Sequence, residues 1–145
     1  MTDQTYIDPS PANFQVFKEL PRDTPINMLN LLRYRDVAAY PEGHEHAGKG
    51  WSGRRAYQEY GITSGPVFRK LGGQIIWRGR FETMVTGPQG ERWDDAFIAQ
   101  YPNADAFFAM IKDPDYRQAV VNRTAALADS RLLRFAPGEA GAGFG

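Results

Sequence analysis

Three polar residues stand where an apolar side chain would be ordinary, and their types are those that handle negative charge and protons. Asn30 breaks a face carrying Met28 and Leu32, in a run where both faces are largely apolar. A buried amide there needs a hydrogen-bond partner, whether backbone, side chain or ligand. Arg123 interrupts a stripe of Tyr116, Val120 and Leu127 at helical spacing. Its charge calls for an ion pair with Asp94, Asp95 or Glu82, or for a ligand carboxylate or enolate oxygen. Asp94 precedes an apolar run beside Asp95, and two adjacent strand residues point to opposite faces. A carboxylate turned into an aromatic-lined hollow has its pKa raised by desolvation and becomes a base; the same residue at a turn is an exposed acid. Asn30, Asp94 and Arg123 are therefore the candidate catalytic residues. Tyr57, Tyr60 and Trp77 are weaker binding candidates, because such rings more often fill cores and interfaces.

Other chemistry-bearing patterns are decoys or lack partners. Gly43 to Lys49 has the spacing of a phosphate-binding loop, but Gly50 stands where Ser or Thr must hold magnesium. His44 and His46 flank Glu45 and are the only histidines. In an extended loop they would present two ligands to a metal, yet a glycine-rich loop gives no rigid frame, so the segment reads as a solvated, flexible loop. One of them would act as an acid or base only if the loop closed over a pocket. No serine has the sharp G-x-S-x-G setting of a hydrolase nucleophile. There is no cysteine, which excludes thiolate catalysis, cysteine zinc sites and disulfides. No metal, haem or other cofactor is expected.

Lys plus Arg and Asp plus Glu number 17 each, so the 145-residue chain is formally neutral and lacks the basic excess of a nucleic-acid binder. Its apolar stretches are too short for a membrane span, and the polar, acidic start is unlike a secretory signal. A cytoplasmic location fits both observations.

These residues need elements to place them. Ser10-Pro11 starts a short helix carrying Phe14, Phe17 and Leu20 and ended by Pro21. Residues 25–35 read as a central strand, 36–51 as a loop, and the segment after Ser52 as a helix with a kink or break near Ser64, because Gly61, Gly65 and Pro66 lie inside it. Gly72-Gly73 stops that helix. Strands are expected over 74–85 and 93–101 around a turn at 86–90, then a helix capped by Asn103 and restarted at Asp113-Pro114, and a last strand over 131–135. Helix, then strand–helix–strand–strand–helix–strand, is the α+β order of a ferredoxin-like βαββαβ fold with an extra N-terminal helix. We read one domain: an accessory region over 1–24, the core over 25–136 and a flexible tail over 137–145. Two major helices cover only one face of a four-stranded sheet, so the other apolar face predicts a homodimer.

The runs Met28-Leu29-Asn30-Leu31-Leu32-Arg33, Ala56-Tyr57-x-x-Tyr60, Leu71-Gly72-Gly73, Trp93-Asp94, Tyr101-Pro102, Asp113-Pro114-x-Tyr116 and Arg123-x-Ala125-Ala126-Leu127 resemble, in order and spacing, the family known as domain of unknown function 1330. The resemblance spans about residues 10 to 136. It implies a ferredoxin-like domain of the dimeric α/β-barrel superfamily, in which two sheets join into a barrel with a cavity in each half. That superfamily holds cofactor-free monooxygenases, isomerases, haem enzymes and binding-only proteins, so fold analogy selects no reaction.

Two functions stay open. In one, the protein is a cofactor-free enzyme acting by proton transfer or oxygenation on an organic acid or enolisable metabolite, with Asn30 and Arg123 holding an oxyanion and Asp94 or a loop histidine moving a proton. In the other it is a dimeric small-molecule-binding protein without a proton mover. A perturbed carboxylate or histidine inside the cavity favours the first, a purely apolar closed cavity the second.

Overall fold

A computed structural model describes residues 4–145. Its helices begin where the sequence supplies caps. The Ser10 hydroxyl accepts from the Asn13 amide at 3.1 Å and starts α1 (Pro11–Glu19). Ser52 accepts from Arg55 N at 3.0 Å and starts α2 (Gly53–Lys70). Asn103 caps α3 (Ala104–Lys112), and Asp113 ends α3 while capping α4 (Pro114–Ala126). Such a side chain satisfies amide groups that the first helical turn leaves unpaired. At the end of α2, Gly72 takes φ +87°, Gly72 N bonds Arg69 O and Gly73 N bonds Phe68 O. This is the paired closure that a left-handed glycine permits.

Strands β1 (Ile26–Tyr34), β2 (Gln74–Arg80), β3 (Asp95–Tyr101) and β4 (Leu127–Phe135) form one sheet in the order β2-β3-β1-β4, every pairing antiparallel. With α2 and α4 as its crossovers, the arrangement is the ferredoxin-like fold. Ile26, Met28 and Leu32 of β1 point to the helix side and are buried. One cluster gathers Ile26, Met28, Ala99 and Tyr101 with Val67 and the α3 side chains Phe107, Phe108 and Met110; a smaller one joins Leu32, Ala56, Ala126 and Leu127. α1 contains no buried residue, yet Phe14 and Phe17 set their rings against Phe107 and Phe108 at 5.1–5.7 Å between centroids. Tilted and edge-to-face packing of this kind adds roughly 0.5–1.5 kcal/mol per pair beyond area burial.

The opposite face carries Leu29 and Leu31 with Ile98, Leu133 and Trp77, in register across all four strands. Gln74, Gln100 and Asn27 form an amide ladder along it, at 2.9 and 3.0 Å.

Several boundaries differ from expectation, each for a local reason. α2 runs without a break through Ser64 and Pro66. Proline there deprives only the Ile62 carbonyl of its partner, and Ile62 faces solvent, while the hydroxyls of Thr63 and Ser64 bond back to Glu59 O and Tyr60 O. β2 stops at Arg80, five residues early; Phe81 N still bonds Asp94 O, but Val85 is 90% exposed and has nothing to pack on. β4 starts four residues early, at Leu127, because Arg35 N takes the Ala126 carbonyl and pulls the chain into register with Tyr34. The histidine loop is not the loose segment expected. Tyr40 stacks on His44 at 4.7 Å, His46 on Trp51 at 4.2 Å, the Arg55 guanidinium lies 4.0 Å from the Trp51 ring centre, and Tyr40 Oη donates to Asn122 Oδ1.

Candidate functional site

The helix layer does not close completely on the sheet. Between them lies a trough of about 2050 Å³, walled by Met28, Asn30, Phe97 and Ala99 of the sheet, Tyr57, Tyr60 and Ser64 of α2, and Tyr116, Val120 and Arg123 of α4. That exceeds the 300–1,000 Å³ usual for a single-ligand pocket, because the hollow continues along the N-terminal segment to β4. The segment crosses the trough as a strap. Tyr6 N donates to Asp129 Oδ1 at 2.9 Å, Ser130 Oγ donates to Tyr6 O at 2.6 Å, and Arg123 Nη1 donates to Ile7 O at 2.8 Å.

Arg123 is only 13% exposed, and its one ion pair among the described residues is with the solvent-facing Asp8 at 3.6 Å. Its partner is thus the strap, not Asp94, Asp95 or Glu82. Its Nε and Nη2 make no hydrogen bond among the described residues, and neither is fully buried. Asn30 Nδ2 donates to Met28 O at 3.1 Å, leaving its Oδ1 without a hydrogen bond among the described residues. The Tyr57 hydroxyl likewise has no partner there, although Tyr34 and Tyr60 pack on its ring at 5.6 and 5.2 Å. Tyr60 and Tyr116 share a hydroxyl–hydroxyl bond of 2.8 Å. Burial raises the pKa of Tyr57, Tyr60 and Tyr116 above the ordinary 10.0; Arg123 pulls the other way for all three without prevailing. These phenols are neutral hydrogen-bond donors at physiological pH, not bases.

Asp94 is elsewhere. Its Oδ2 accepts from Tyr34 N at 2.8 Å, Asp95 Oδ2 accepts from Tyr34 Oη at 2.7 Å, and Arg54 pairs with Asp95 at 2.7 Å. The two carboxylates clamp the end of β1, where its pairing with β4 shifts register, and Asp94 does not line the trough. Trp77 lies on the far face of the sheet, beside a hollow of about 170 Å³. The structure therefore brings Asn30, Arg123, Tyr57 and Tyr60 together and leaves Asp94, Trp77, His44 and His46 outside. No cluster of three potential metal ligands occurs among the described residues.

Asp129 does border the trough. Burial would lift its pKa, but bonds from Tyr6 N, Arg131 and Ser130 N outweigh that and hold it below 3.8. Sequence reasoning missed the strap, since nothing in Gln4–Pro9 has a periodicity to follow. It also missed Arg78 and Arg134, which line the trough from the edge strands. Arg134 Nη2 donates to Pro21 O, while its Nη1 is buried with no partner among the described residues.

Residues 51–134, more than half the chain, match the family described as domain of unknown function (DUF1330). The chain belongs to that family. The DUF1330 match starts at the α2 cap and ends within β4, so the strap and α1 lie outside it. A protein of unknown function from Rhodopseudomonas palustris is 48% identical, with a TM-score of 0.85 over 94% of this chain and 100% of that one. A cofactor-independent oxygenase from Streptomyces nogalater, SnoaB, is 10% identical, with a TM-score of 0.51 over 81% of this chain and 96% of its own. An uncharacterised NIPSNAP-like domain protein from Burkholderia xenovorans is 14% identical, with a TM-score of 0.50 over 85% and 93%. The last two share the fold. No curated protein matches the chain. No helix of the described residues is long and apolar enough to cross a membrane.

Proposed function

We propose that this DUF1330 protein binds a small organic anion with a flat apolar body in the helix–sheet trough. One observation carries the reading. Among the described residues, eight arginines and three carboxylates (Asp8, Glu91 and Asp129) line the trough of a chain whose formal net charge is zero. Positive charge gathered in a concavity with low-dielectric walls focuses the field and raises the local concentration of anions. The walls supply aromatic faces, and Arg123, Tyr57 and Asn30 supply unsatisfied polar atoms, the usual combination of apolar bulk with a few orienting groups.

The same donors would stabilise an enolate or carboxylate oxygen, which supports a cofactor-free reaction on an enolisable acid as the enzymatic form of this reading. SnoaB, named as a cofactor-independent oxygenase, has the same fold; at 10% identity it supplies no residue roles. Pairing of two copies through the face of Leu29, Leu31, Ile98 and Leu133 would cover the apolar side of the sheet.

Thermal-shift and calorimetric titration of the whole protein with aromatic carboxylates, their neutral amides and the matching amines tests the binding reading. Carboxylates should stabilise the protein and the amines should not. Equal shifts for all three classes, or none, would overturn it.

A further inference from the structure

The most informative irregularity in the sheet is in β2. Ile75 pairs with Ala99, Trp77 with Ile98 and Arg78 with Phe97, so the register slips between Ile75 and Trp77 and Ile76 is the extra residue. Simple alternation from Ile75, whose partner Ala99 is buried under the helices, would turn Trp77 and Gly79 toward the trough and Arg78 away. The bulge reverses this. Trp77 goes to the open face, where its ring lies against Gly79, and Arg78 joins the trough side. Re-aiming one side chain is a recurrent use of a bulge near a site.

Arg78, Phe97, Asn30 and Leu132 then form one row across the trough side of all four strands. Arg78 sits at the β2 edge and makes no ion pair among the described residues. Arg123 enters on the far side, tied to the strap that Tyr6 fastens to β4. Tyr57 lines the same trough, and both guanidiniums favour its ionised form. The trough thus has a cationic fork at each end and a flat floor of Phe97 and Asn30 between them.

We infer that Arg78 is a second anion anchor, placed by the β2 bulge, and that the site selects rigid dianions, such as dicarboxylates, over monoanions. This rests on the anion-binding reading above and narrows it. A dianion lying over Phe97 gives one end to Arg123 and Tyr57 and the other to Arg78; a monoanion leaves one fork unused. Bidentate guanidinium–carboxylate pairing supplies the discrimination.

The test uses the whole protein and paired probes at one ionic strength: benzoate with terephthalate, and phenylacetate with 1,4-phenylenediacetate. Calorimetry should give at least about tenfold tighter binding for the dicarboxylate of the favoured pair, since one well-made charged contact amounts to that much or more. R78Q should weaken the dicarboxylate about tenfold more than its monocarboxylate partner. Deletion of Ile76, with folding checked by circular dichroism and cooperative melting, removes the bulge yet leaves Arg78 two positions after Ile75 on the trough side, so it should keep the preference for the dicarboxylate; loss of that preference would count against the second anchor. Should monocarboxylates bind while dicarboxylates bind no better, or should R78Q weaken both alike, the second anchor is refuted and the anion site survives. Should no probe bind, both readings fall. If the deletion variant does not fold, R78Q decides alone.

Discussion

Replacing Tyr57 with Phe separates a binding role from a structural one, because the hydroxyl has no hydrogen-bond partner among the described residues. Tyr60 is the internal control: its hydroxyl bonds Tyr116 at 2.8 Å, and removing it leaves Tyr116 unpaired. An average hydrogen bond is worth about 1 kcal/mol net, and orphaning its buried partner costs about 1–3 kcal/mol. Tyr60→Phe should therefore lower unfolding stability by about that amount, while Tyr57→Phe should stay within about 0.5 kcal/mol of the parent, since only an unpaired hydroxyl is deleted. Binding should show the reverse order. A hydrogen bond from a phenol to a charged oxygen contributes about 1.5–3 kcal/mol, so Tyr57→Phe should raise the Kd for a bound carboxylate about 10- to 150-fold. Urea unfolding and calorimetric titration on the same samples give both numbers. The reasoning fails if Tyr57→Phe destabilises by more than about 1 kcal/mol, which would reveal a hidden structural partner. It fails equally if carboxylate affinity is untouched.

Three further outcomes follow from the packing. A methyl group at Gly53 would meet the backbone oxygens of Arg35 and Ala126, which cannot swing aside, so Gly53→Ala should destabilise by about 1–3 kcal/mol in chemical denaturation; an unchanged midpoint would contradict this packing. Tyr57, Tyr60, Tyr101 and Tyr34 all have folded-state pKa values raised by burial, so unfolded chains release these protons first. Their contribution is fully present below pH 10 and is lost as pH rises beyond it; urea midpoints should fall steeply above about pH 10, and flat midpoints would count against buried phenols. Sedimentation should find a dimer at micromolar concentration, and Leu133→Lys, on the open face, should dissociate it; a parent protein that sediments as a monomer removes the pairing.

Residues whose signals were local were legible in the sequence. Ser10, Ser52, Asn103 and Asp113 cap helices as their types predict, and the alternation of Ile26, Met28 and Leu32 places a buried strand face. Asn30 and Arg123, flagged as polar breaks in apolar patterns, both face the trough. The setting of Asp94 was not legible, because it depends on where β3 begins. With the strand starting at Asp95, Asp94 falls in the connection and binds the Tyr34 amide. Trp77 and Arg78 were unreadable for a different reason. One extra residue inverts strand parity, and nothing in Gln74-Ile75-Ile76-Trp77 marks which residue is extra. The strap was hidden because its bonds run over a hundred residues in sequence, from Tyr6 to Asp129 and from Ile7 to Arg123.

What the trough lacks narrows its chemistry as much as what it holds. Asp129 is held ionised by three donors, Asp8 lies in solvent beside Arg123, and the phenols stay protonated. Neither Asp129 nor these phenols is poised to remove a proton near neutral pH, the task for which an enzymatic base needs a matched pKa, which leaves Asp8 and Glu91 as the other carboxylates bordering the trough. The arginines and the Tyr57 hydroxyl stabilise negative charge that is already present. Without either of those carboxylates as acceptor, an enolisable ligand would have to be acidic enough to ionise when its oxygen meets Arg123 and Tyr57, with the proton leaving to solvent through the open side of the trough. On the anion-binding proposal, a ligand of ordinary carbon acidity binds and remains unchanged unless Asp8 or Glu91 takes its proton. The boundary between binding protein and enzyme then lies in the ligand's acidity: deuterium exchange at the α-carbon, followed for probes of increasing acidity, should accelerate over buffer only for the most acidic. Equal acceleration for weak and strong carbon acids would mean that a base is at work in the trough after all.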